Sequence, residues 1–399
     1  MLSIMHPSSI LLLGAMLGAC SQHGDDSSRL VAARGIESVA SSIAPLASAK
    51  PTAALPDECK ESAHASLFAS PHSPRPGHVL RFVATRDDAA EAALVVRDSA
   101  GAEVARSDER HGGPPYFWRV DIDAPTNGVY RAYFTDQSAA HSCIEVRVDD
   151  VETPLRVVQG LWPVSRTWNK ATENLYSAWI ESLFDAPLGE PLSFVALHDA
   201  LHDSRRNFLY DHLGPREDAA GPKAPVIDPD CADLPFALRA YFSFKLGLPF
   251  AYSSCTRGGG GRAPVCKTPR SNLEWPIHRS PDRMAEFAEF IRTTLADTVH
   301  SGTPRTAADD DETNFYPVRL NEQTLRPGTI YADPYGHVLV VVRRVAQTKD
   351  RAGMLLAVDG QPDGTVGRKR YWRGNFLFAL DPSLGSPGFK RFRPVLVEK

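Results

Sequence analysis

Along residues 80–148 apolar and polar positions alternate with period two. Leu80, Phe82 and Ala84 interleave with Arg81, Val83 and Thr85. Ala92 to Arg97 makes a second short run, which stops at the turn Asp98-Ser99-Ala100-Gly101. Phe117 to Ile122, Val129 to Phe134 and Cys143 to Val148 continue the rhythm, with Pro125-Thr126-Asn127-Gly128 turning the chain between them. Alternation of this kind, cut by Gly, Pro, Asn and Asp clusters, is the mark of strands with one face toward a core. Short strands at this spacing predict a small antiparallel all-β sandwich over residues 57–150.

From about residue 160 the period changes. Leu175, Trp179 and Leu183 fall at helical spacing, as do Leu234, Leu238, Tyr241 and Phe242. Ser280-Pro281 offers an N-cap and a first-turn proline to a helix carrying Met284, Phe287, Ile291 and Leu295 on one face. The last third reads as strands at Val338 to Val345, Met354 to Val358 and Tyr371 to Leu380. Helices first and an antiparallel sheet last predict an α+β domain over residues 160–399, and no internal repeat is present.

The N-terminus reads as a targeting segment. Ile10 to Ala19 is apolar, too short to cross a bilayer and suited to the core of a signal peptide. Leu17-Gly18-Ala19-Cys20 resembles a bacterial lipoprotein processing site. That resemblance implies a signal peptide at 1–19, a mature chain beginning at a lipid-bearing Cys20, and membrane attachment through that lipid. Ser21, in place of Asp, is similar to lipoproteins sent to an outer membrane, which implies an exported protein facing the periplasm. Residues 20–56, rich in Ser, Ala, Asp and Gly, read as a flexible tether. Formal charge is −4, with Lys and Arg scattered, so the composition gives no nucleic-acid footprint. The densest basic run, Arg368 to Arg373, reads as a solvated loop.

Six cysteines sharpen the picture. Cys59 and Cys143 flank the alternating segment, and Cys255 and Cys266 bracket the glycine-rich loop Gly258 to Gly261. In an exported protein both pairs are expected as disulfides. With Cys20 assigned to lipid, Cys231 is left over, in Asp228-Pro229-Asp230-Cys231-Ala232-Asp233-Leu234. It stands at the start of an apolar helix, where unpaired N–H groups and the helix dipole favour a thiolate nucleophile. His337, in Asp333-Pro334-Tyr335-Gly336-His337-Val338, begins the strongest strand and suits a base aimed at that thiol. Asp359 and Gln361 share a face on the return strand, and either could orient the imidazole.

These residues carry a resemblance. Asp230-Cys231-Ala232-Asp233-Leu234 is similar to the Asp-Cys-Ser-Gly-Leu that opens the catalytic helix of NlpC-type cysteine peptidases, a bacterial branch of the papain-like fold. Pro327-Gly328-Thr329-Ile330 and Gly336-His337-Val338 resemble that family's Pro-Gly-Asp-Leu and Gly-His-Val. The resemblance implies a papain-like catalytic domain, a Cys231–His337–Asp359 (or Gln361) triad, and hydrolysis of amide bonds in the stem peptides of peptidoglycan. Gly128-Val129-Tyr130 likewise resembles the late strands of immunoglobulin-like domains. Asp233 departs from the family's small residue, and the stretch from Cys231 to His337 is longer than in compact members.

Other readings of the same residues stay open. One is acyl transfer of transglutaminase type on the same triad; another is a non-catalytic envelope-binding lipoprotein. Thiol chemistry of this kind calls for no cofactor and no metal. His198 and His202, at i and i+4, have zinc-helix spacing with His212 as a third candidate, but Asp199 stands where metallopeptidases use Glu. The pair reads as an exposed helix face. Asp309 to Glu312 lacks the alternate-position ligands of a calcium loop and reads as a solvated turn.

Overall fold

The computed structural model describes residues 59–60, 65–136, 141–151, 160–214, 216–222, 224–275, 282–371 and 381–396. All of them lie in one compact unit, Ala53–Lys399. The proposed signal peptide at 1–19, Cys20 and the whole of the tether at 20–56 lie outside the described residues.

Strands β1 (Ser66–Ser70), β2 (Leu80–Arg86), β3 (Ala92–Arg97), β4 (Glu103–Ser107), β5 (His111–Gly112), β6 (Tyr116–Ile122), β7 (Gly128–Asp136) and β8 (His141–Val148) come first. They form two four-stranded antiparallel sheets, ordered β1-β2-β6-β5 and β4-β3-β7-β8. Leu80, Phe82, Ala84 and Trp118 from one sheet share an apolar cluster with Leu94, Val96, Ala132 and Phe134 from the other. Cys143, in β8, is disulfide-bonded to Cys59.

A strict alternation would leave Arg81, Val83 and Thr85 on a wet outer face, yet every residue of β2 is buried. The reason is α1 (Lys170–Leu183), which packs against β2. Val83 and Phe117 belong to the same cluster as Leu175, Trp179 and Leu183 of α1. Arg81 keeps its charge on that covered face by pairing with Asp121 at 3.5 Å and donating to the Tyr210 carbonyl at 3.1 Å.

The rest of the unit is α+β. Short β9 (Ser193–Phe194) and α2 (Leu197–Leu201) lead to α3 (Leu234–Leu246), then to the small hairpin of β10 (Ala251–Tyr252) and β11 (Arg270–Ser271) and to α4 (Arg283–Glu289). Strands β12 (Phe315–Pro317), β13 (Ile330–Ala332), β14 (Val338–Val345), β15 (Met354–Gly360), β16 (Val366–Tyr371) and β17 (Gly388–Phe392) follow. With β9 they make a seven-stranded sheet, ordered β12-β17-β13-β14-β15-β16-β9, in which every pair is antiparallel.

Three details differ from the sequence expectations. The α4 cap is Asp282, whose carboxylate accepts from the Ala285 N–H, while Ser280 and Pro281 lie outside the described residues. A strand, β16, starts at Val366 and runs to Tyr371, earlier than the strand expected at 371–380, whose residues 372–380 fall outside the described residues. Arg368 and Lys369 are therefore strand residues rather than a solvated loop: Arg368 donates to the carbonyls of Ala186, Pro187 and Glu190.

All thirteen residues of α3 are buried, so the helix runs through the interior. Its two charged side chains are each neutralised there. Arg239 pairs with Glu173 of α1 and lies over the Trp168 ring at 3.2 Å. Glu173 also binds Arg391 of β17 at 2.8 Å, which ties α1, α3 and the sheet together. Lys245 pairs with Glu217 and, at 2.6 Å, with Asp218. Gly247 ends the helix in the left-handed region at φ 65°, a conformation that favours glycine.

Candidate active site

The start of α3 is built by one carboxylate. Asp230 Oδ1 accepts from the Ala232 N–H at 2.7 Å and the Asp233 N–H at 3.0 Å, while the Asp230 carbonyl accepts from the Leu234 N–H at 2.9 Å. Asp230 thus caps a helical turn that leads into α3, and Cys231 is the first residue inside the cap. The Cys231 N–H is the one first-turn amide before Leu234 that this carboxylate does not take. Cys231 is half-buried and is the free cysteine among the described residues, since Cys255 and Cys266 are also disulfide-bonded.

Asp233, where the NlpC-type motif has a small residue, is 7 % exposed. Burial, with the neighbouring Asp230 charge, pushes its carboxyl up to about 8, so it holds a proton at neutral pH. A neutral acid there spares the thiol a second buried negative charge.

His337 is set by a tight turn between β13 and β14. The Asp333 N–H donates to the His337 carbonyl at 2.9 Å, the Tyr335 N–H donates to Asp333 Oδ1 at 2.6 Å, and Gly336 turns the chain at φ 119°. Buried Arg305 holds this turn from behind, donating to the carbonyls of Pro334 at 3.2 Å, Leu384 at 2.7 Å and Ser301 at 3.0 Å. The Cys231 Sγ sits 3.8 Å from the Gly336 carbonyl oxygen, so the thiol lies against the same turn.

The pairing Val340↔Val358 between β14 and β15 continues to Leu339 opposite Asp359. His337 and Asp359 are therefore diagonal neighbours on one face of the sheet, within reach of long side chains. His337 Nδ1 lies 3.6 Å from Asp359 Oδ1, an ionic contact longer than a hydrogen bond. Asp359, 2 % exposed, spends its other oxygen elsewhere: Oδ2 takes Lys369 Nζ at 2.6 Å and Gln361 Nε2 at 2.9 Å. Of the two third-member candidates, Asp359 faces the imidazole, and Gln361 orients Asp359.

The electrostatics follow from this arrangement. Asp359 and the Cys231 sulfur, acting against partial burial, push the His337 imidazole up to about 11. Burial pushes the Asp359 carboxyl up, but His337 and Lys369 together outweigh it and hold the group below the ordinary carboxylate range. The ring is thus an imidazolium at neutral pH, held so by a buried carboxylate and by the sulfur of Cys231.

Lys369 and Arg305 were not singled out in the sequence. Lys369 pairs opposite Ala357, on the same face as Asp359 two residues on, so strand parity carries the signal once β16 is placed correctly. Arg305 acts through carbonyls and leaves no sequence trace.

The remaining candidates separate from this site. His198 Nδ1 lies 3.2 Å from both backbone polar atoms of Ile227, its ring 5.5 Å from that of His202. His212 is buried elsewhere, 3.1 Å from Ser70 Oγ. Among the described residues no three His, Cys, Asp or Glu side chains are grouped to hold a metal, and no helix is long and apolar enough to cross a membrane.

The sequence matches no protein-family model and no curated protein. The NlpC-type resemblance rests on its short motifs at Cys231, Pro327 and His337.

Proposed function

We propose that this protein is a thiol hydrolase of papain-like type that cleaves amide bonds through Cys231, His337 and Asp359. One arrangement carries the reading: the imidazole of His337 lies 3.6 Å from a buried carboxylate, and the Cys231 thiol, at a helix start, lies against the turn that carries His337. Cys231 thiolate attacks the amide carbonyl carbon, and the Cys231 N–H is one donor to the oxygen that gains charge. The imidazolium gives its proton to the leaving nitrogen as the C–N bond breaks, leaving a thioester on Cys231 and a neutral His337. That imidazole then takes a proton from water, hydroxide oxygen adds to the thioester, and the C–S bond breaks to release the carboxylic acid and restore the thiolate–imidazolium pair. Asp359 holds the ring in its working orientation, and Lys369 with Gln361 holds Asp359.

In the fuller form of this proposal the substrate is a stem peptide of peptidoglycan. The two N-terminal sheets act as an immunoglobulin-like spacer, and lipid on Cys20 keeps the exported enzyme at the membrane facing the periplasm. The motifs around Cys231 and His337 support the substrate class, and the Leu17-Gly18-Ala19-Cys20 stretch supports the anchor.

The test is incubation of the soluble chain with purified muropeptides in ¹⁸O water, read by mass spectrometry. Cleavage with label in the new carboxylate, lost in Cys231→Ala, is the expected result. No cleavage, or cleavage that survives Cys231→Ala, overturns the hydrolase reading, and an amine-linked product in place of the acid assigns acyl transfer instead. For the anchor, Cys20→Ser should release the protein from the membrane fraction or leave it unprocessed. A processed, membrane-bound Cys20→Ser product would overturn that part.

A further inference from the structure

We propose that Gly360 is a positioning residue: its missing side chain lets the peptide joining Asp230 to Cys231 lie directly on the end of β15, and this sets the distance from the Cys231 thiol to His337. The inference rests on the thiol-hydrolase reading of Cys231.

The geometry is steric and specific. A Cβ built on Gly360 would stand 2.8 Å from both the carbonyl carbon and oxygen of Asp230, and 2.9 Å from the Pro229 carbonyl oxygen. All three atoms are backbone, so no side chain can swing aside. Gly360 has no unusual φ, so its conformation would suit any residue and contact alone calls for glycine. Gly360 is also the neighbour of Asp359 on β15. Successive strand residues face opposite ways. One step of backbone therefore presents the carboxylate to His337 and a bare shelf to the nucleophile's own peptide bond. Around the same hairpin, a Cβ on Gly364 would meet Asp228 Cβ at 3.0 Å, so the turn touches the nucleophile segment at a second point, although there a φ of 87° also favours glycine.

An added methyl at 360 falls short of ordinary contact by roughly 0.6 Å, and the 229–231 backbone or the strand end must give way. Displacements of about 1 Å in a reacting pair can cost about a hundredfold in rate.

The experiment compares iodoacetamide alkylation of Cys231 from pH 5 to 9 in five full-length proteins: wild type, His337→Ala, Gly360→Ala, Gly364→Ala and Gly367→Ala. Gly367 lies opposite Asp359 in the same hairpin, and a Cβ there meets only Ser193 Oγ at 3.9 Å. Near-UV circular dichroism reports folding, and kcat and KM are taken on whichever peptide the wild type cleaves. The inference expects Gly360→Ala to keep its fold and KM, to lose about tenfold or more in kcat, and to alkylate with the pH profile of His337→Ala. Gly364→Ala should lose less, and Gly367→Ala nothing. A folded Gly360→Ala with the wild-type profile overturns the inference. If Gly360→Ala does not fold, a wild-type profile in folded Gly364→Ala overturns it. The reading it rests on fails separately, and visibly, if His337→Ala leaves the wild-type profile unchanged.

Discussion

Lys245 offers the sharpest stability test, because it is a charge with no access to water on α3, the helix that follows Cys231. Its side chain and that of Asp218 are both 0 % exposed, with Nζ and Oδ2 2.6 Å apart. Burial alone would pull the ammonium's pKa down, but the Asp218 and Glu217 carboxylates outweigh it and hold it above the ordinary lysine value. Lys245→Met keeps the apolar stem and removes the charge, leaving Asp218 uncompensated. Stripping one partner from a buried pair costs about 3–5 kcal/mol. Asp218 keeps the Tyr241 hydroxyl at 2.9 Å and the Asp211 N–H at 2.8 Å, which places the cost near the lower end, about 3 kcal/mol. With a urea slope of about 3 kcal/mol per M, the unfolding midpoint should fall by about 1 M. Lys245→Met/Asp218→Asn removes the two fully buried charges and retains an acceptor for Tyr241, leaving Glu217, whose side chain is 16 % exposed, as the remaining unpaired carboxylate, so it should recover part of that loss. Tryptophan fluorescence is the readout, because the Trp179 indole donates to Asn207, whose amide meets the Tyr241 hydroxyl bound to Asp218. A midpoint shift below about 0.3 M in the single variant, or a double variant worse than the single, would refute the assignment of a coupled buried pair.

The triad carboxylate gives a second test: in Asp359→Ala the largest influence raising His337 is gone, so its NMR titration should move down from about 11 toward the ordinary histidine range. Gln361→Ala should move it far less, and an equal effect from the two would mean that Gln361 shares the role. A third concerns His212, where burial first and then Lys245 hold the imidazole well below its usual pKa. A histidine depressed in the folded state contributes stability that is complete above about pH 6.5 and is lost as pH falls toward the folded value. Relative to His212→Gln, the wild type should therefore lose up to about 1.4 kcal/mol per pH unit below pH 6.5 in urea titrations. Parallel pH curves for the two proteins would exclude His212 as the group responsible.

Much of this architecture could be read from periodicity, and the failures have identifiable physical causes. The alternation at 80–85 located β2, but a two-residue period says nothing about what covers the second face. Only the packing of α1 explains why Arg81 and Thr85 are buried. The strand parity of Asp359 and Gln361 placed both near His337. Register does not choose between them, since continuing it sets Gln361 opposite His337 and Asp359 on the diagonal; the side chains do, with Asp359 Oδ1 3.6 Å from the ring and the Gln361 amide turned onto Asp359. Lys369 was lost because a dense basic run reads as solvent-facing, whereas its ammonium pairs with buried Asp359 across a hairpin. The α4 cap was misplaced because Ser280-Pro281 and Asp282 are all good helix starters, and local composition does not rank them. Gly360 was illegible, since its requirement comes from backbone that approaches from far along the chain.

The central claim is that Cys231 and His337 act as one titrating pair, and alkylation of the native protein measures it most directly. Intact-mass kinetics with iodoacetamide at pH 6 should show rapid single-site labelling at Cys231, where an ordinary thiol is mostly protonated and slow. The same protein with His337→Ala, still folded by circular dichroism, should label slowly at pH 6 and recover only as pH rises. Equal labelling rates in the two proteins, or a wild-type Cys231 inert at pH 6, would contradict the pair and return Cys231 to the core.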